Sequence, residues 1–279
     1  MIMKIREAKV AGKFYPASEN EIRHQLDHIK AKEEKSIAYE LANHQIAGGV
    51  VPHAGHMFSG YEAVHFFEIL SRAKIKPETI VIVNPNHTGI GAELAIDNHD
   101  KWKTPLGEIS LDTELRDMLP FPGSSREQEF EHSAEVMVPF IQHFLGAAVS
   151  ILPITMSVQN YNYASALAVA IKEAAEKIDR EIILIASSDF SHFLTPEKGY
   201  ELDQLVVDAI LDQDPIAVEH VVRKHNISVC GFGPIMTLME YAKLKAAKEI
   251  KILKRGHSGE VIPSNEVVDY LSILFFKKL

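Results

Sequence analysis

Three loops in this 279-residue chain carry side chains suited to metal binding or proton transfer. VVPHAGHMFSG holds His53 and His56, VIVNPNHTG holds His87, and IASSDFSHF holds Asp189 and His192. Neutral imidazole is the commonest ligand for first-row transition metals and also the side chain that exchanges protons near neutral pH. A metal needs its ligands gathered in space, not in sequence. Asp189 and His192 read as a catalytic base with its orienting carboxylate, as metal ligands, or as a helix-capping aspartate beside an exposed histidine.

Cys230, the only cysteine, lies in NISVCGFGP, where Gly231, Gly233 and Pro234 turn the chain into a helix. It reads as a small buried apolar residue, or as a thiolate at a helix amino terminus that ligates metal or attacks a substrate. In EHSAE, Glu131, Ser133 and Glu135 read as helix-opening residues and His132 as a pocket-lining candidate. Ser187 and Ser188 suggest a Ser-His-Asp arrangement, but no G-x-S-x-G elbow accompanies them. P-loop and H-E-x-x-H patterns are absent. The histidines at 24, 28, 44, 143, 220 and 225 fall on helical or polar segments and are assigned no site.

The loops matter because of the elements that present them. Apolar runs at 46–51, 79–83, 149–154 and 181–186 have the character of buried strands, and stretches of helical spacing separate them. Helices are expected at 60–74, 131–145, 161–177, 199–212, 215–225 and 234–247, with closing strands at 250–254 and 267–276. The pattern predicts an α/β single domain over residues 1–279, with a mostly parallel central sheet and helices on both faces. Residues 88–128 read as an irregular insertion. In such sheets ligands bind beyond the carboxyl ends of the strands, where the histidine loops fall. His53 and His87, 34 residues apart, fit one strand–helix–strand unit and hence neighbouring strands.

With 29 basic and 38 acidic side chains the formal net charge is −9, so no global positive field draws the chain to nucleic acid or anionic lipid. A lone cysteine excludes a disulfide scaffold. No apolar stretch is long enough for a membrane helix, and the first residues lack a signal-peptide core; the expected setting is soluble and cytoplasmic.

Six motifs in order, AGKFYP, VPHAGHMFSG, NPNHTG, EHSAE, SSDFSH and CGFGP, span nearly the whole chain and together resemble the Memo family. That family is similar in fold to class III extradiol ring-cleaving dioxygenases, which hold iron with two histidines and a carboxylate. The resemblance implies that His53, His87 and Cys230 bind a transition metal, with Asp189 and His192 acting beside it and Phe14, Tyr15, His56 and His132 lining the pocket. A thiolate in place of the carboxylate makes a softer site, which favours copper or zinc more than the dioxygenase set does; the transition metal expected is iron or copper, with zinc as a further candidate. Phe14 stands where the family pattern has tryptophan, which keeps an aromatic wall without the indole N–H. Prokaryotic members belong to the AmmeMemoRadiSam system, which implies AMMECR-type and radical-SAM protein partners.

Three functions compete: a metal-dependent, dioxygenase-like oxidoreductase in which His192 moves a proton and Asp189 orients it; a non-catalytic module binding a phosphopeptide or protein in the same cleft; and a metal-assisted hydrolase. The first is the leading expectation. The ligand is expected to be a small molecule or a peptide.

Overall fold

In the strand TIVIVNP the side chains of Ile80 and Ile82 enter one hydrophobic core while Val81 and Val83 enter another. The same alternation in IILIAS sends Leu184 and Ala186 one way and Ile183 and Ile185 the other. A strand apolar on both faces must be covered on both, and that requirement gives the chain its layers. The computed structural model describes residues 3–146 and 148–279.

Along the chain, β1 (Ile5–Arg6), α1 (Glu19–Glu33), β2 (Gln45–Val51), α2 (His56–Ser71) and β3 (Thr79–Pro85) come first. Then follow β4 (Leu94–Ile96), β5 (Lys101–Thr104), β6 (Gly107–Ser110), α3 (Thr113–Met118), α4 (Val138–Phe144) and β7 (Ser150–Met156). The remainder is α5 (Tyr161–Lys177), β8 (Ile182–Ser187), β9 (His192–Leu194), α6 (Pro196–Leu211), α7 (Pro215–His225), α8 (Phe232–Leu244), β10 (Glu249–His257) and β11 (Val267–Lys277). The main sheet runs β10-β11-β2-β8-β3-β7-β4, with β9 pairing β11. Helices α1, α2 and α4 pack on one face, and α5 to α8 on the other.

Helix α5 illustrates the cause. Ala164, Leu167, Ala168, Ile171, Ala174 and Ala175 recur at helical spacing and are buried, and the Asn160 side chain accepts the Tyr163 N–H at the amino end. In β2 the glycines are needed for closeness: a Cβ at Gly48 would stand 2.0 Å from the Leu184 carbonyl oxygen of neighbouring β8.

The α/β class with helices on both faces is as expected, but the sheet is mixed. Only β2, β8, β3 and β7 run parallel; β10, β11 and β4 are antiparallel to their neighbours. Strands β10 and β11 are joined by residues 258–266 without a helical crossover, a connection too short to return a parallel strand. Residues 88–128 are not irregular: β4 extends the main sheet, and β5 and β6 join β1 in a second, three-stranded sheet. Their brevity hides them, since three or four residues show too little alternation to read. The expected helix from residue 131 begins later, with a 3-10 turn at Glu135–Met137 and then α4, which leaves Glu131 and His132 in loop. His53 and His87 follow β2 and β3, which are not neighbours, because β8 lies between them. Among the described residues no helix is long and apolar enough to cross a membrane.

Candidate metal centre

The carboxyl ends of β2, β8 and β3 lie side by side, with Val51 opposite Ser187 and Val83 opposite Ala186. Their loops therefore meet. The Asp189 carboxylate, beyond β8, accepts the backbone N–H groups of His53 at 2.7 Å and Ala54 at 3.3 Å, which fixes the turn between β2 and α2. The His53 ring meets that of His87 at 5.2 Å and that of His132 at 5.5 Å between centroids, and His87 and His132 stand 4.7 Å apart. One ring nitrogen from each of the three lies within 4.8 Å of the others.

What stands behind the rings decides which nitrogen faces the cleft. The Ser187 hydroxyl donates its hydrogen to the Ser133 carbonyl at 2.7 Å, so its contact with His53 Nδ1, also 2.7 Å, must be donated by the imidazole. His53 Nε2 is left with a lone pair. His87 Nδ1 lies 2.9 Å from Glu131, an acceptor when ionised, so Nδ1 carries a hydrogen and Nε2 is the nitrogen available to a ligand. His192 Nδ1 donates to the Ser228 carbonyl at 2.9 Å, which leaves a third free Nε2.

Glu131 is the anchor. Wholly buried, it accepts the His87 N–H, His87 Nδ1–H, His132 N–H, Ser133 N–H and the Ser133 hydroxyl. Burial alone would push its carboxyl up, but the His87 hydrogen bond and charge, with Ser133 and His132, outweigh it and hold the group at about 2. The imidazoles are pushed the other way. Burial, then the charges of its histidine neighbours, holds His53 well below the ordinary value, and burial takes His132 to about 4. Both rings are therefore neutral at pH 7, as metal ligation requires.

Cys230 joins the group from the turn before α8. Its Sγ is 3.2 Å from His53 Nε2 and accepts the Asp189 N–H at 3.2 Å. About 3.5 Å separates a nitrogen and a sulfur bound tetrahedrally to one zinc-sized ion, so the pair is already near ligand spacing. Burial and the Asp189 charge push this thiol up, opposite to the lowered pKa expected of a cysteine at a helix amino terminus. Its environment favours S–H until a cation arrives.

Of the residues picked out from sequence, the structure thus brings His53, His87, Cys230, His132 and Asp189 together, and the His192 charge is felt at both His53 and Asp189. The expected Asp189–His192 pairing is not formed: Ser228 orients His192, and Asp189 clamps the His53 turn. Burial, moderated by the His53 N–H and the His192 charge, raises the Asp189 carboxyl to about 6. Phe14 packs on His132 at 4.5 Å. Tyr15 and His56, expected to line the pocket, lie in the layer beneath it. His56 is fully buried, stacks on Tyr15, touches Phe140 and binds the Val136 carbonyl, while the Tyr15 hydroxyl donates to Glu135.

An α/β sheet whose parallel strands end beside a cluster of three imidazoles and a thiol defines a candidate metalloprotein. The chain matches the family model described as Memo-like protein over residues 6–274. It is 35% identical to a MEMO1 family protein of Methanococcoides burtonii over 273 residues, covering 97% of this chain and 99% of the relative. A MEMO1 family protein of Thermococcus onnurineus is 37% identical over 297 residues, covering 98% of this chain and all of the relative. The chain belongs to the Memo family. A crystal structure of an uncharacterized Escherichia coli K12 protein superposes with a TM-score of 0.48 at 15% identity, covering 75% of this chain and 90% of that one.

Proposed function

We propose that this chain is a metal-dependent oxidoreductase whose transition metal, iron or copper, is held by His53 and His87, with Cys230 and His132 flanking them as further donors. One observation carries the reading: Ser187 and Glu131 hold both Nδ1–H groups from behind, which leaves Nε2 of each ring for a ligand, and ring nitrogens of His53, His87 and His132 lie within 4.8 Å of one another. Polar partners of this kind behind ligating histidines are a recurring feature of metal sites. A bound metal would supply a redox centre and a Lewis acid.

The chain's own residues do the rest. His192, fixed through Nδ1, is placed to exchange a proton at its free Nε2. Phe14 shields His132, and Asp189 keeps the His53 turn from opening.

Glu131→Gln tests the arrangement without emptying the first ligand positions. The amide retains the shape but removes the charge and presents an N–H toward at least one of five donors. Loss of such an outer partner typically costs about 10–100-fold in metal affinity. Competition titration with a chromophoric chelator should register that loss for Glu131→Gln. Unchanged affinity in the folded variant would remove the second layer from the account.

A further inference from the structure

On the side of the sheet covered by α1 and α2 lies a cavity of about 310 Å3, bounded by the end of α1, by α2, by β10 and by the 3-10 turn Ser258–Glu260. Glu62 lines it from α2. Only 2% of that residue is exposed, and its Oε2 has no hydrogen-bond partner among the described residues. A buried carboxyl left without a partner is costly, and native structures seldom tolerate one without a reason. The missing side chain at Gly256 makes room for it: a Cβ there would lie 2.4 Å from Glu62 Oε1 and 3.2 Å from Glu260 Oε1, so two carboxyl groups converge on the same space.

The cations nearby do not fill the gap. Lys254 is held by Glu33 at 2.7 Å, and His65 lies 3.0 Å from the other oxygen of Glu33. Lys32 lies over the Tyr61 ring at 5.7 Å. His257 is 3.9 Å from Glu260, and its Nδ1 is unpartnered. The carboxyl groups of Glu62 and Glu260 are therefore left without a close cationic partner. A single metal ion is a poor match, since the only group of close-set His, Cys, Asp and Glu donors among the described residues is the His53 cluster. Phe58, Tyr61 and Val261 supply apolar and aromatic wall. A rounded cation with a hydrocarbon body fits such a lining, its N–H groups to the carboxylates and its hydrocarbon against Phe58 and Val261.

We propose that this cleft is a second ligand site, separate from the histidine cluster, that takes a small organic ammonium ion seated on Glu62 and Glu260. Burial raises the Glu62 carboxyl to about 8, with Lys254 acting to lower it and Glu260 and Glu33 to raise it. Binding then releases a proton at pH 7, and affinity climbs as pH rises through 8, until the amine itself deprotonates at about 10.4, the value for lysine.

The test is ligand-detected NMR with n-butylammonium chloride on the full chain at pH 7 and pH 8.5, with sodium butyrate and magnesium chloride as parallel probes. The expected result is butylammonium binding that tightens at the higher pH and weakens tenfold or more in Glu62→Gln. Should that variant fail to fold, the exposed Glu260→Gln is expected to weaken binding at least threefold. The proposal is overturned if the wild-type chain does not bind butylammonium, if the folded variants bind it equally well, or if butyrate or magnesium is the probe whose binding depends on Glu62. None of these readouts involves the histidine cluster, so failure here leaves the metal reading untouched.

Discussion

Arg6→Ala is expected to lower the free energy of unfolding by about 3–5 kcal/mol, the usual consequence of stranding one partner of a buried ion pair. Arg6 and Glu135 meet at 2.6 Å with both side chains 1% exposed. The remaining guanidinium nitrogens donate to the carbonyls of Gln128 and Glu131, and the guanidinium lies 4.2 Å over the Trp102 ring. Glu135 in turn accepts the N–H groups of Lys9 and Val10 and the Tyr15 hydroxyl. Removing Arg6 leaves a buried carboxylate short of its counter-charge, and two carbonyls without donors. Since those carbonyls belong to the segment carrying Glu131 and His132, the same variant should loosen the metal centre. Urea unfolding reads the first effect; a loss below 1 kcal/mol would mean that the network is more hydrated than its burial indicates.

His87→Ala is expected to abolish retention of a transition metal, and His53→Ala to do the same. Each change removes a lone pair that the fold orients with a dedicated partner, Glu131 for His87 and Ser187 for His53. Elemental analysis of freshly isolated protein should find about one metal ion per wild-type chain and essentially none in either variant. Equal metal content in all three proteins, each shown to be folded, would place any metal elsewhere. Capture of a phosphorylated or acidic peptide is the weaker use of this cleft. Its buried imidazoles resist protonation, and the carboxylates of Asp189 and Glu131 stand beside them. Neutral rings presenting lone pairs repel an anion and welcome a cation.

How far the sequence foretold this centre depends on the kind of signal each residue leaves. His53 and His87 are legible because each follows a short apolar run with the character of a buried strand, and strand ends are where open sheets place their sites. Helices α5 and α7 are found at the bounds read from periodicity alone, since both carry a sharp amino-terminal stop, Asn160 and Asp214. Helix α1 went unread because Ile22, Leu26 and Ile29 are its only buried residues, scattered among charges. Glu131 carries no local mark of its role: an acidic residue near a helix start resembles a cap until the fold brings His87 to it from 44 residues away. Ser187 reads from sequence as part of a Ser-His-Asp arrangement, yet its hydroxyl links the Ser133 carbonyl to His53. The antiparallel return of β11 beside β2 depends on a connection that periodicity does not encode.

The most direct test is X-ray absorption at the metal edge of the loaded wild-type chain. One bound metal is expected whose nearest neighbours include nitrogen, with the outer-shell scattering of at least two imidazole rings. A first shell of oxygen alone, with no imidazole scattering, would contradict that expectation.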